Sequence, residues 1–454
     1  MAFGPLAPFT WTLSLGVGLH AIAWYIVAAA VPSTVLELGQ AELLSWTTTL
    51  FLVGTIVGAA SAGPLRGSHG ARAILVAASV VVIAGCALAA SAPSMIVVVV
   101  GRGLQGLGEG VILATCYTLA RDLFPPEAFA CVFAAYAVGW ALGAVVGPIA
   151  GGALTEVIGL RAAFWGLMPL AVLFALLVLW LTPRERGNRQ GEVPPLLRLG
   201  VLGVGAFAIC LASTRTTTAT IVGFMAVAAL ARALTVILGR RAPRRVFFSA
   251  LIDPRQTVGL GLWIILLSFL AETSVHVFVP FLVQTAHDVS PTFIGYFVAI
   301  IALAWSGSAV LGSGMTGRAF DALVAVGPSL IAGGLAASTW ALARPGLGLL
   351  AIALIIIGLG FGISYTFVTQ RVVAAAAGEG DVTSSAVPTL GNIGSAVGAA
   401  LAGLVGNAAG FSAKAGGPGA ILAGQWAIGV ATAIAVVPEL GAFALARRRV
   451  AHRP

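Results

Sequence analysis

The chain has 454 residues, of which 59% are hydrophobic and 9% charged, and its mean hydropathy is +1.05. A soluble globular domain carries about a quarter charged residues, so water is excluded as the main solvent of this surface. The net charge of +9 is spread over short segments between apolar runs and forms no basic face, so nucleic acid is not an expected partner.

A hydrocarbon core about 30 Å thick requires about 20 apolar residues per helical crossing. Apolar runs between charged or Pro/Gly-rich breaks predict crossings near 10–33, 45–65, 73–92, 95–120, 128–154 and 162–182. Two more follow at 196–214 and 217–239, and a last six at 257–285, 291–317, 321–343, 346–373, 383–409 and 419–446. The expected fold is an all-α membrane protein with six-helix bundles over 1–182 and 257–454. Residues 183–256 are expected to form an inserted hairpin of two transmembrane helices with basic cytoplasmic linkers. The first apolar run lacks the basic region and cleavage site of a secretory signal, so it is expected to remain as helix one.

Lys and Arg divide unequally between the two sets of alternating loops. One set, with the C-terminal tail, holds Arg66, Arg72, Arg121, Arg184, Arg186, Arg189, Arg198, Arg240, Arg241, Arg244, Arg245, Arg255, Arg318, Arg371, Arg447, Arg448, Arg449 and Arg453. The other holds Arg161, Arg215, Arg344 and Lys414. This imbalance predicts that both termini are cytoplasmic. Inserting two helices leaves that parity unchanged, so fourteen rather than twelve crossings rests on the length of the runs in 183–256. Lys414 is the only lysine, which suggests a GC-rich bacterial genome, and the repeated apolar runs make a multi-pass protein of a bacterial inner membrane the expectation.

Ionised side chains at membrane depth cost at least ~2.5 kcal/mol each, so those present should face a wet cavity or a partner. Arg102, Gln105 and Glu109 are spaced three and four apart and share one helix face. Glu272 and His276 are four apart on another helix, and His20 with Trp24 and Tyr25 adds a polar stripe to helix one. Asp122, Glu127, Asp321, Glu379 and Asp381 lie near cytoplasmic ends, where a solvated pair or gate latch is expected. The four cysteines, Cys86, Cys116, Cys131 and Cys210, fall inside apolar runs without paired or metal-like spacing and read as small core residues.

Three motifs stand in order: GPLRGSHGAR from Gly63 to Arg72, GRGLQGLGEG from Gly101 to Gly110, and GWALGAVVGPIAGG from Gly139 to Gly152. The second half adds VFVPFLVQ (Val277 to Gln284), SPTFIGY (Ser290 to Tyr296) and a small-residue stretch from Ser384 to Gly410. This set resembles the major facilitator superfamily, and with its central hairpin it is similar to the fourteen-helix branch of the drug:proton antiporters. Two positions depart from the family pattern. Gly67 stands where the gating loop carries an Asp, beside Arg66, and Ala23 stands where helix one often carries one, with His20 a turn earlier.

The resemblance implies a secondary active transporter, proton-coupled efflux of a lipophilic or amphipathic compound, with a polar-metabolite transporter as the alternative. A non-transporting scaffold or sensor is a more distant reading. By resemblance, helices one and four and those at 257–285 and 346–373 line a central cavity. There Glu109, Glu272, His276 and His20 are the proton-coupling candidates, and Arg102, Gln105, Tyr25, Tyr365, Trp140 and Trp305 the cavity or substrate candidates. The competing reading pairs Arg102 with Glu109, and Glu272 with His276, purely structurally. Gly139, Gly143, Gly147 and Gly151, with Pro148 and Gly152, form a helix-packing motif whose four-residue spacing offers a groove to a partner backbone. Gly63, Arg66, Gly70 and Arg72 are the expected gating loop. Gly101, Gly103 and Gly106 fit a dinucleotide pattern, but no strand precedes them. No enzymatic motif, metal cluster or cofactor is expected, and the partners are a small-molecule substrate, protons and the lipid bilayer, with the chain acting as a monomer.

Overall fold

The computed structural model describes residues 7–125, 128–182, 196–215, 218–240, 253–312, 315–376, 380–414 and 418–448. Among them run fourteen α-helices and no strand. In order they are α1 (Ala7–Leu38), α2 (Leu44–His69), α3 (Ala71–Ala90), α4 (Met95–Leu123), α5 (Phe129–Val157), α6 (Leu160–Leu181), α7 (Leu196–Ser213) and α8 (Thr218–Arg240). The remaining six are α9 (Thr257–His287), α10 (Pro291–Gly312), α11 (Gly317–Ala341), α12 (Gly348–Ala375), α13 (Gly380–Ala408) and α14 (Pro418–Arg447). Twelve of these are long and apolar enough to cross a membrane. In α7 and α8 the apolar stretches are shorter, Gly203–Ser213 and Ala219–Ala231. The expected linker residues Arg184, Arg186, Arg189, Arg241, Arg244 and Arg245, together with Glu127 and Glu379, lie outside the described residues.

The expected gating loop is almost entirely helical, which corrects its description as a loop. Helix α2 continues through Gly63, Pro64 and Arg66 to His69, and α3 begins at Ala71, so Arg72 is already in its first turn. Only Gly70 separates the two helices, at φ 83°, a left-handed conformation that a side chain would strain. The Gly70 N–H bonds the Arg66 carbonyl and closes the end of α2.

The chain forms two compact units: Met1–Gly203 with Asp288–Ala299, and Val204–His287 with Ile300–Pro454. In the first, α1 packs on α5 and α6, α2 on α4, and α3 on α4 and α6. The α1–α5 seam is built on the predicted glycine ladder. A Cβ on Gly143 would stand 2.6 Å from the Cβ of Ala21, and one on Gly151 would stand 2.4 Å from the Ile26 carbonyl oxygen. Hydrocarbon supplies no hydrogen bonds, so hydroxyls bond the carbonyl one turn back in their own helix: Ser14 to Thr10, Thr55 to Phe51, Ser79 to Leu75 and Thr115 to Val111.

In the second unit, α9 packs against α13, α14 and α12, and α11 against α12 and α14. One core joins Leu262, Ile264 and Ile265 of α9 to Val324 of α11, Phe367 and Val368 of α12, and Leu445 of α14. The amide of Asn407 in α13 donates to the Ser213 carbonyl at the end of α7 over 2.9 Å.

Candidate functional site

Residues advance about 100° around an α-helix, which sorts α4 into three stripes. Gly103, Gly106 and Gly110 fall on one flank, Gly101 and Gly108 on the other, and Arg102, Gln105 and Glu109 between them. The first flank meets α2: a Cβ on Gly106 would stand 1.9 Å from the Phe51 carbonyl oxygen, and one on Gly110 2.1 Å from that of Thr55. The second meets α3, where a Cβ on Gly101 would stand 2.8 Å from the Gly85 carbonyl oxygen. Two close-packed seams therefore draw the polar stripe into the dry interior of the first unit, with Arg102 2% exposed, Gln105 0% and Glu109 1%. The glycine pattern that resembles a dinucleotide loop is the seam itself.

Each polar group on the stripe is held by a different neighbouring helix. Nδ1 of His20, on α1, lies 2.9 Å from Oε2 of Glu109. Arg102 donates through Nη1 to Oε1 of Gln105 at 2.6 Å, and its guanidinium lies 3.9 Å from the centre of the Phe51 ring on α2. A desolvated cation over an aromatic face contributes about 2 kcal/mol. Gln105 in turn donates to Sγ of Cys86 on α3 at 3.3 Å. The imidazole of His20 stacks on Phe51, centroids 5.6 Å apart, and meets Trp140 of α5 edge-on at 5.7 Å. Glu109 Oε1 and Arg102 Nε are buried without a hydrogen-bond partner among the described residues. The Arg102–Glu109 pairing weighed from the sequence is thus replaced: Glu109 turns to His20 and Arg102 to Gln105 and Phe51.

In the second unit, Phe269, Glu272 and His276 repeat the same three-and-four spacing on one face of α9. Oε1 of Glu272 lies 2.5 Å from Nε2 of His276, and Glu272 is 3% exposed. One turn earlier, Phe269 meets Trp305 of α10 and Phe361 and Tyr365 of α12, with centroids 5.9, 5.1 and 5.9 Å away. Trp305 also meets Phe361 at 5.2 Å and Tyr365 at 5.9 Å, closing a four-ring cluster. Phe361 is fully buried, whereas Phe269, Trp305 and Tyr365 each keep part of their surface open.

Each unit also ties two helix ends with an ion pair. Arg66 of α2 pairs with Asp122 of α4, and Arg371 of α12 with Asp321 of α11. Arg371 further donates to the Arg448 carbonyl at 3.0 Å and to that of Ala446 at 3.5 Å, gripping the end of α14.

The structure therefore gathers His20, Arg102, Gln105, Glu109 and Trp140 in one cluster, and Glu272, His276, Trp305 and Tyr365 in another. Tyr25 is 7% exposed, and its Cβ lies at the α1–α5 seam, 3.0 Å from where a Cβ on Gly147 would be. Gly152 and Pro148 of the same motif meet the 288–299 segment, where a Cβ on Gly152 would stand 2.4 Å from the Pro291 carbonyl oxygen. Sequence reasoning missed Phe51, Cys86, Phe269 and Phe361. Apolar or weakly polar side chains carry no charge signal, although Phe269 stands on the Glu272 face. Among the described residues, no group of three or more His, Cys, Asp or Glu is placed to hold a metal ion.

The profile of the Major Facilitator Superfamily matches residues 13–399. A probable multidrug-efflux transporter of Mycobacterium tuberculosis is 29% identical over 416 residues, covering 87% of each chain. Multidrug resistance protein 3 of Bacillus subtilis is 26% identical over 181 residues, covering 40% of this chain and 35% of its own. Among solved structures, a peptide transporter bound to alafosfalin matches with a TM-score of 0.69 at 14% identity, over 98% of this chain and 95% of its own. A bacterial homologue of the human lysosomal transporter Spinster matches with a TM-score of 0.66 at 14% identity, over 98% of both chains.

Proposed function

For a chain that belongs to the major facilitator superfamily, we propose proton-coupled efflux of a lipophilic or amphipathic small organic compound by alternating access. The observation that carries the reading is Glu272, 3% exposed on a membrane-crossing helix and held 2.5 Å from His276. A carboxylate at that depth persists where it serves a proton or ion pathway or is fully paired, and an imidazole partner can exchange the proton it shares. The partly open rings of Phe269, Trp305 and Tyr365 beside it offer stacking surface to a planar or amphipathic molecule. The likeness to a probable multidrug-efflux transporter supports efflux of such compounds. In this reading α7 and α8 cross the bilayer as an inserted hairpin, both termini are cytoplasmic, and the protein works as a monomer in a bacterial inner membrane.

Reconstitution in liposomes under an imposed pH gradient, with a panel of fluorescent lipophilic and radiolabelled polar compounds, tests the reading. Substrate-dependent proton movement with a lipophilic compound, reduced in Glu272→Gln, is the expected result. Flux indifferent to the pH gradient would remove proton coupling, flux only with polar compounds would replace the substrate class, and no flux at all would leave a scaffold.

A further inference from the structure

Among the described residues each compact unit holds one carboxylate–imidazole pair whose acid is buried, and the two are built differently. In the first unit the pair joins two helices, with Glu109 on α4 and His20 on α1 and 2.9 Å between Oε2 and Nδ1. In the second it lies within one helix, Glu272 and His276 of α9 at i and i+4, with 2.5 Å between Oε1 and Nε2. All four groups lie on helices that cross the membrane, and both carboxylates are at most 3% exposed.

From this duplication we propose that the transporter carries two protons per cycle, one on each pair, rather than one proton on a single acid. This rests on the proton-coupled reading above. A Glu–His pair has two basic sites a hydrogen bond apart. One proton added to the pair of carboxylate and neutral imidazole is shared between them, while a second would add a further buried cation with no anion to offset it, in the first unit on top of the buried Arg102 charge. Each pair is therefore a one-proton device. The proton comes from water on the outer side, resides between the carboxylate oxygen and the ring nitrogen, and leaves to cytoplasmic water, with no bond other than O–H or N–H made or broken.

The titratable and charged groups around each pair differ. Around Glu109 and His20, α4 contributes Arg102 and Gln105, α3 Cys86, α5 Trp140, and α2 the Phe51 ring. Of the titratable groups on helices packed against α9, Tyr365 of α12 sits in the ring cluster, while Asp321 of α11 and Arg371 of α12 hold each other. Glu439 of α14 is half-buried and Arg447 of α14 is exposed.

The test is thermodynamic. With membrane voltage clamped at zero in proteoliposomes, the substrate ratio that stops net flux is about tenfold per pH unit for one proton and about 100-fold for two. The wild-type protein is expected to balance near 100-fold per unit, and Glu109→Gln and Glu272→Gln each near tenfold. A wild-type balance near tenfold overturns the proposal while leaving proton coupling intact, and needs no variant to fold. A single variant that transports and still balances near 100-fold also overturns it. A wild-type flux that no pH gradient can stop removes the proton-coupled reading itself.

Discussion

The Nδ1 of His20 and the Oε2 of Glu109 stand 2.9 Å apart although 89 positions separate them in the chain, and this contact ties α1 to α4 inside the first unit. Removing one member strands the other in a buried site. His20→Ala is expected to lower unfolding free energy in mixed detergent micelles by about 3 kcal/mol. In His20→Ala with Glu109→Gln the loss should fall short of the sum of the two single losses by at least about 1 kcal/mol. Strictly additive losses in that cycle would show that the contact contributes nothing.

Gly106 has the least room on α4. A methyl group there would stand 1.9 Å from the Phe51 carbonyl oxygen, which belongs to backbone and cannot swing away. Gly106→Ala is expected to push α2 from α4 and reduce folded yield after detergent extraction several-fold, measured by fluorescence-detected size exclusion. Gly63→Ala, with nothing within 4 Å of the added carbon, should extract like the wild type.

Trp305 meets all three other rings of the cluster, Phe269, Phe361 and Tyr365. An aromatic pair contributes about 0.5–1.5 kcal/mol beyond area burial, so Trp305→Ala should raise the KM for an aromatic substrate by about tenfold. Trp305→Phe should restore most of it. Equal transport by the alanine variant across aromatic and aliphatic substrates would remove the cluster from recognition.

Arg371 holds Asp321 with one nitrogen and the Arg448 carbonyl with the other. Lysine carries a point charge and cannot keep that fork. Arg371→Lys should retain the ion pair but release the end of α14, read as faster amide hydrogen exchange over residues 444–448 with no change in α11. Unchanged exchange there would show that the α14 end is held by other contacts.

Much of this arrangement was readable in the residues, because hydrocarbon enforces simple rules. Crossing length fixes the twelve long helices, and the 3.6-residue period places Arg102, Gln105 and Glu109 on one face before any neighbour is known. The ladder of Gly139, Gly143 and Gly151 announced a close seam, although not that α1 fills it. Pairing was harder to read. Arg102 and Glu109 share a face, yet seven residues separate them by about 10 Å of helix rise, so each finds a nearer partner on another helix. That His20 would take Glu109 depends on how α1 leans across α4, which the glycine seams decide and no local pattern records. The gating loop was misjudged because it was carried over from the family pattern, whereas in this chain α2 runs on past Pro64 to His69 and a proline within a membrane helix leaves most of the ladder intact.

The one-residue link at Gly70 has a mechanical corollary. With His69 ending α2 and Ala71 opening α3, this corner has no slack, so neither rod can slide along its axis without dragging the other. Whatever tilts α2 during a transport cycle must be absorbed by torsion at a single Cα or handed whole to α3. The two helices thus behave as a bent lever rather than as independent staves, with Arg66 and its grip on Asp122 fastened just short of the elbow.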